Sequence, residues 1–315
     1  MTINLYNVNY LVYGRNGSVS GSKVTWDDYM SYDTVLAFAQ VLKKYFPTGV
    51  FIDILGQTLE GRDLFVVSLC SSGICGKKPG IWLDAGTHAR EWTTISSLTY
   101  IMNELIQHRE NHEKIVDALD WYFMPVVNPD GYEYSMTIDS NWRKNRAIHP
   151  GCIGVDINRN FPVKWESGVC DDTFPGLKAF SEVESRLQAD FIRKRSSCIK
   201  LFNSFHNYGD LILFPWAATN LDYASEASHI KLGQRGINAM SVRSGRDYKI
   251  GSVSKVLYLA KGSSMDYYAN IGIPYVYTME IGTSFIPDTK EIIPLAKEVF
   301  EFIKTLSKQI ILDFA

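Results

Sequence analysis

The sequence has almost no surplus of charge of either sign: 32 Lys and Arg stand against 34 Asp and Glu, a formal net charge of −2. With no basic helix either, there is no electrostatic case for nucleic acid or an anionic membrane surface as partner. There is no glycine-rich loop of the kind that cradles phosphates, and no apolar run long enough to span a bilayer. The first residues, Met1-Thr2-Ile3-Asn4-Leu5, lack the charged-then-apolar pattern of a secretion signal. That fits either a protein that is not exported or a processed form whose leader is gone. No internal repeat is visible. Charged residues at 21% and hydrophobic ones at 46% are ordinary for a globular chain, and 315 residues allow one large α/β domain or two small ones.

Cysteine is sparse, at five residues, and its placement is informative. Cys70 and Cys75 bracket a tight loop that a disulfide could close. Cys152 and Cys170 bracket a loop rich in Gly, Asn and Pro, and Cys198 precedes the apolar run Ile199–Phe205 and reads as a buried thiol. Two local pairs and one core cysteine fit an oxidising compartment, against the alternative of five free thiols in a cytosolic enzyme. Asn16-Gly17-Ser18 is a glycosylation sequon, uninformative by itself.

Residues 1–24, Gly/Ser-rich around Gly14–Ser22, read as a linker or tail, which predicts a tail over 1–21 ahead of a domain covering 22–315. Helical periodicity runs from Trp26 to Phe46 and stops at Pro47-Thr48-Gly49. Short strands are expected at Val50–Leu55, Leu64–Leu69, Ile81–Leu83 and Trp121–Val127, the last closed by a turn at Asn128-Pro129-Asp130-Gly131. A helix is expected over Thr93–Gln107. The stretch from about Ser135 to Lys178 has little periodicity, and loops of that length in a compact domain are usually functional. Ser181 and Glu184 resemble a capping box opening a helix to about Lys194. Strands at Ile199–Phe205, Leu211–Phe214 and Pro274–Ile281 and helices at Tyr223–Ser241 and Pro294–Gln309 complete the pattern. Strands alternating with helices predict one α/β domain.

The chemistry concentrates in Asp84-Ala85-Gly86-Thr87-His88-Ala89-Arg90-Glu91-Trp92. His88 and Glu91 offer a nitrogen and an oxygen three positions apart, a donor pair that suits Zn²⁺. Such a pair is also a common chance spacing, so it needs a third ligand. His206 ends an apolar run, and the carboxyl end of a strand is where open α/β sheets place functional groups. Alone, it reads as a satisfied core or surface histidine. Joined to His88 and Glu91, it completes two His and one Glu and leaves a fourth position for water or a substrate carbonyl. By strand alternation Val276, Thr278 and Glu280 share one face. A carboxylate late in an apolar strand is either half of a buried ion pair or a general base. Asn158-Arg159 and Trp142-Arg143-Lys144 fall in the irregular stretch. Guanidinium groups bind carboxylates bidentately, so arginines beside zinc suit an anionic substrate; for Lys144 and Arg146 a solvated loop charge is the simpler reading.

From about Trp26 onward the chain resembles a zinc metallocarboxypeptidase of the pancreatic-type A/B branch. The resemblance is carried by Leu59-Glu60-Gly61-Arg62, His88-Ala89-Arg90-Glu91-Trp92, Asn128-Pro129-Asp130-Gly131-Tyr132 and Trp142-Arg143-Lys144. It continues through Asp156-Ile157-Asn158-Arg159-Asn160, Phe180-Ser181-Glu182, Phe205-His206 and Thr278-Met279-Glu280. It implies a single domain with a mixed, mostly parallel twisted sheet flanked by helices on both faces, and one zinc ion held by His88, Glu91 and His206. It implies that Asp156 orients a ligand histidine and that Glu280 is the base. Arg143 would polarise the scissile carbonyl, Asn158 and Arg159 would clamp the terminal carboxylate, and Tyr258 would close over it. Arg90 would contact upstream residues, Tyr208 would also be substrate-binding, and Met265 would sit at the base of the side-chain pocket. Cys152 and Cys170 match a disulfide of the branch; the Cys70/Cys75 pair matches none.

An uncharged thioether at Met265 implies apolar or aromatic C-terminal residues, with a Lys/Arg preference as the alternative. Asp266 occurs in both types and is no selector. Ala217 and Ser263 stand where A-type enzymes have glycine, Ser140 where an arginine is usual, and Gly282 where another is. The resemblance further implies a secreted, extracellular monomer acting on peptide or protein C-termini, released from an inhibitory prodomain of which residues 1–17 would be the remnant, and open to proteinaceous inhibitors. The rival readings are a catalytically silent peptide-binding relative and a zinc amidase or deacylase on the same scaffold.

Overall fold

The computed structural model describes residues 9–13 and 19–315. Strands β1 (Asn9–Tyr13) and β2 (Val19–Lys23) pair antiparallel. The stretch read from sequence as a linker or tail therefore holds a strand pair. Asn16 and its sequon lie outside the described residues. Helix α1 (Tyr32–Tyr45) starts later than the periodicity from Trp26 suggested, because Ser31 caps it by accepting from the Thr34 amide. Strands β3 (Val50–Gln57), β4 (Asp63–Cys70) and β5 (Gly80–Asp84) follow, then α2 (Trp92–Gln107), α3 (Glu113–Ala118), β6 (Asp120–Met124) and α4 (Pro129–Thr137).

The turn expected at Asn128–Gly131 is the start of α4. The Asn128 side chain accepts from the Gly131 amide, and Pro129 sits at the first helical position, where a missing N–H costs nothing. Turn and cap use the same residue types, and only the chain beyond decides between them. Next come a short hairpin of β7 (Ile148–His149) and β8 (Cys152–Ile153), then α5 (Val183–Arg193). The capping box expected at the start of α5 does not form: Glu182 is the capping residue, the Ser181 hydroxyl donates to its carboxylate, and Glu184 is held by Asn145. The chain closes with β9 (Ile199–His206), β10 (Leu211–Phe214), α6 (Glu226–Ser244), β11 (Lys249–Ser252), α7 (Val253–Val256), α8 (Ser264–Asn270), β12 (Tyr275–Glu280) and α9 (Ile292–Phe314).

Eight strands form one mixed sheet in the order β11-β10-β12-β9-β5-β6-β4-β3. Its centre, β12-β9-β5-β6, is parallel throughout, and antiparallel pairs enter on both sides. The two-residue alternation of strands sorts the side chains cleanly. On one face Phe65, Ile81, Leu83, Trp121, Phe123 and Leu201 join a hydrocarbon core with residues of α1, α2, α6 and α9. On the other, Leu64, Trp82, Tyr122, Phe202 and Val276 pack with residues of α5 and α8 and the loop around Ile157 and Phe161. Both cysteine pairs are disulfides, Cys70–Cys75 and Cys152–Cys170. Cys198 is free and half-buried rather than fully buried, and burial pushes its thiol up. No helix among the described residues is long and apolar enough to cross a membrane.

Candidate metal centre and cleft

The second face changes character where the central strands end. Asp84 closes β5, Ser204 and His206 close β9, and Thr278 and Glu280 close β12, all on that face by alternation. Register holds them level: Asp84 pairs with Ser204, Thr278 with Ser204, and Glu280 with His206. After β5 the chain turns through Gly86 and presents His88; Glu91 then stands at the N-terminal boundary of α2.

His88, Glu91 and His206 come together from these two segments, all buried, as a group that could hold a metal ion. The Nδ1 atoms of the two imidazoles lie 3.0 Å apart. Glu91 sets one carboxylate oxygen 2.7 Å from His88 Nδ1 and the other 3.0 Å from His206 Nδ1. Two ring nitrogens and a carboxylate converging in this way form a donor set that fits a divalent cation, and nitrogen with oxygen donors fits zinc. Burial works against the charge on Glu91, yet His88 and His206 hold its carboxyl well below the usual range.

Asp156 stands behind His88. One of its oxygens lies 3.2 Å from His88 Nε2, and the other accepts from Arg143 Nε at 3.0 Å and Nη2 at 2.8 Å. Burial opposes this charge too, but Arg143 and His88 pull the carboxyl far below its ordinary value. Asp156 also caps the single turn Ile157–Arg159 by accepting from the Asn158 amide, which fixes the backbone from which Asn158 and Arg159 project. Gly262 lies against that turn in a left-handed conformation, and a Cβ there would meet the Arg159 carbonyl oxygen at 2.2 Å, so only glycine fits.

A cleft of about 390 Å³ is lined jointly by His88, Glu91, Arg143, Asn158, Arg159 and Glu280. Arg159 Nη2 donates to the Tyr258 hydroxyl at 3.2 Å, and Tyr258 is half exposed. Arg90 and Tyr208 line the cleft as well. The Arg90 guanidinium stacks on Phe285 at 4.4 Å and bonds Asp172, and the Tyr208 ring packs on Phe285 at 4.9 Å. Burial raises the proton affinity of Glu280, and His206, Arg143 and Arg159 work against that rise.

The same cleft continues among Leu213, Ala217, Val253, Leu257, Ala260 and Met265. Asp266 is tied to the backbone: its two oxygens accept from the Ala217 and Ala218 amides at 2.8 Å each, and burial pushes it up to about 6. The Ser263 hydroxyl caps α8 by accepting from the Asp266 amide. Gly282 takes a left-handed conformation and its carbonyl receives the Gly209 amide, a turn where an arginine would be strained.

Of the residues singled out from sequence, His88, Arg90, Glu91, Arg143, Asn158, Arg159, Tyr208, Tyr258, Met265 and Glu280 line one cleft, and His206 and Asp156 stand directly behind His88 and Glu91. The solvated charges expected of Lys144 and Arg146 are not found. Lys144 is buried, with its amine held down by desolvation, and Arg146 stacks over the rings of Tyr134 and Trp142. Sequence reasoning also passed over Ser204, Asn207 and Phe285. The available signal for Ser204 was a hydroxyl two residues before a candidate ligand in a strand, hence on the same face.

Comparison with known proteins agrees with this geometry. The profile described as zinc carboxypeptidase matches residues 35–302. Carboxypeptidase B of Astacus astacus is 33% identical over 296 residues, covering 90% of this chain and 97% of that protein. Carboxypeptidase O of Homo sapiens is 36% identical over 261 residues, covering 78% of this chain and 70% of that one. Among solved structures, carboxypeptidase A from Helicoverpa armigera superposes with a TM-score of 0.86 at 30% identity, covering 92% of this chain and 75% of the other. Bovine thrombin-activatable fibrinolysis inhibitor, solved with a tick carboxypeptidase inhibitor, gives 0.85 at 28% identity, with 91% and 99% covered. With two imidazoles and a carboxylate gathered at the sheet's carboxyl edge and a family profile spanning most of its length, this chain belongs to the zinc carboxypeptidases and is a metal-dependent hydrolase.

Proposed function

We propose that the enzyme removes single apolar or aromatic residues from the C-termini of peptides and proteins. His88, Glu91 and His206 hold the zinc ion, which when bound supplies a Lewis acid for the scissile carbonyl and an acidified water. Arg159, with Asn158 beside it, takes the free terminal carboxylate through parallel N–H bonds, which makes the enzyme an exopeptidase. Tyr258, already bonded to Arg159, closes over that carboxylate. Arg143, steadied by Asp156, stabilises the developing oxyanion. Glu280 takes a proton from the attacking water and hands it to the leaving amine, a task suited to a carboxylate whose proton affinity burial has raised. Arg90 and Tyr208 hold the residues upstream.

The observation that carries the reading is one cleft in which His88 and Glu91 of the metal-binding triad, Arg159 and the apolar side chain of Met265 adjoin. A name such as carboxypeptidase B among the relatives brings in the Lys/Arg alternative. Against it, Asp266, next to Met265 in the chain, has both carboxylate oxygens committed to two backbone amides. Residues 22–315 form the catalytic unit in this reading, and the two disulfides favour an extracellular, oxidising setting, with proteinaceous inhibitors as partners. Peptides identical except at the last residue provide the test. Phe, Tyr, Leu and Ile should be released, Lys and Arg not, and amidated peptides should resist. Faster release of Lys would overturn the side-chain preference alone, whereas equal cleavage of amidated peptides would overturn the role of Arg159.

A further inference from the structure

The two imidazoles of the triad are backed differently. His88 meets a carboxylate directly, at Asp156. His206 Nε2 instead lies 3.2 Å from the Ser204 hydroxyl, and Ser204 Oγ lies 2.5 Å from Asp84 Oδ1. The other Asp84 oxygen accepts from Trp82 Nε1 at 2.7 Å and from Gln188 Nε2 at 3.1 Å. Asp84, Ser204 and His206 are all buried. The arrangement comes from two short alternations on neighbouring parallel strands, Trp82-x-Asp84 and Ser204-x-His206, set level by the pairing of Asp84 with Ser204.

We propose that Asp84, acting through Ser204, is a positioning residue for the zinc ligand His206. The direction of each hydrogen bond follows from elementary bookkeeping. With Nδ1 turned to the metal, the neutral ring carries its proton on Nε2, so His206 donates to Ser204. The hydroxyl has one proton, and it goes to Asp84, which is ringed by donors and has no other use for that lone pair. The relay fixes both the tautomer and the rotation of the ring, and a donated N–H makes the metal-bound nitrogen a better electron donor. Trp82 and Gln188 fix the carboxylate in turn, so the aim of His206 derives from the packed second face of the sheet rather than from a loop.

This inference builds on His206 as a ligand, and zinc affinity of the purified protein tests both layers. Competition with a chromophoric chelator should show Ser204→Ala binding zinc 10–100-fold more weakly than wild type. Ser204→Thr, which keeps the hydroxyl, should stay within a few-fold of wild type. Circular dichroism of the metal-free proteins shows whether each variant folds. A folded Ser204→Ala with wild-type zinc affinity would overturn the relay, as would Ser204→Thr weakened as much as Ser204→Ala. Should Ser204→Ala not fold, the cobalt-substituted wild type supplies the readout. Its His206 Nε2–H should exchange slowly with solvent, and exchange as fast as that of free imidazole would overturn the relay. His206→Ala separates the layers: if it still holds zinc, the ligand assignment fails. If it loses zinc while Ser204→Ala keeps it, only the relay fails.

Discussion

The two faces of the central sheet are built from the same strands yet obey different rules. On the face under α2, α6 and α9, alternate residues such as Leu83, Phe123, Leu201 and Tyr277 are apolar, with the buried Asn203 on β9 an exception. On the other face the alternate positions start apolar, at Trp82, Phe202 and Val276, and finish as Asp84, His206 and Glu280. The first face gains free energy with each residue it buries. The second spends part of that gain at its carboxyl edge, where buried polar groups must be paired to be tolerated. Stability and function are thereby separated by a single step of the β-pleat, and substitutions on the two faces should fail in different ways.

The largest expected effect is on the second face. Dialysis against a strong chelator should abolish peptide hydrolysis, and adding zinc should restore it, with zinc content and C-terminal residue release measured together. Activity that persists in protein shown to be metal-free would break the comparison at its root. Next in size is Glu280→Gln. It removes a proton acceptor but keeps the shape, so kcat/KM should fall by at least ~10²-fold. Stability should hold or improve, because a half-buried carboxylate is replaced by a neutral amide. A melting temperature that drops along with the rate would mean that the carboxyl edge is structural after all.

Phe123→Ala inverts that expectation. The side chain is buried in the hydrocarbon core, and its removal should cost about 3–5 kcal/mol of unfolding free energy in a denaturant titration. The kcat/KM of the molecules that remain folded should change little, since Phe123 lies on the face away from the cleft. A loss of rate as large as that of Glu280→Gln would show that the faces are coupled.

The residue periodicities made the hydrocarbon face readable in advance. Strands β4, β5, β6 and β10 lie within a residue or two of where their apolar runs place them, apart from the end of β6. The site was legible because its residue types are rare in apolar strands: His206 and Glu280 stand out where alternation puts them on a packed face. Two kinds of feature were hidden. One is the cap that uses turn residues, as at Asn128, where a helix and a turn begin alike. The other is the polar group whose partner is distant in sequence. Ser204 is an ordinary serine until Asp84, 120 positions away, is seen beside it. Lys144 and Arg146 show the same limit, since the rings and the disulfide that cover them are set by folding of the long loop.

His229 is a buried polar group within the hydrocarbon face and gives the finest probe. It lies on α6 among Phe214, Tyr275 and Tyr277, is fully buried, and burial pushes its imidazole down to about 4. Nδ1 lies 2.9 Å from the Ser225 carbonyl oxygen and donates to it, while Nε2 accepts from the Val276 amide at 3.2 Å. A second proton on Nε2 would therefore face an N–H, so the folded protein keeps the ring neutral. Between the ordinary value near 6.5 and about 4, the unfolded chain binds a proton here that the folded chain refuses. The contribution is thus fully present above 6.5 and is lost as pH falls towards 4, by about 3 kcal/mol in all. The difference in unfolding free energy between wild type and His229→Phe isolates this term from every other titrating group. That difference should shrink by about 1.4 kcal/mol per pH unit through the window, and a difference independent of pH would mean that His229 is already charged inside the core.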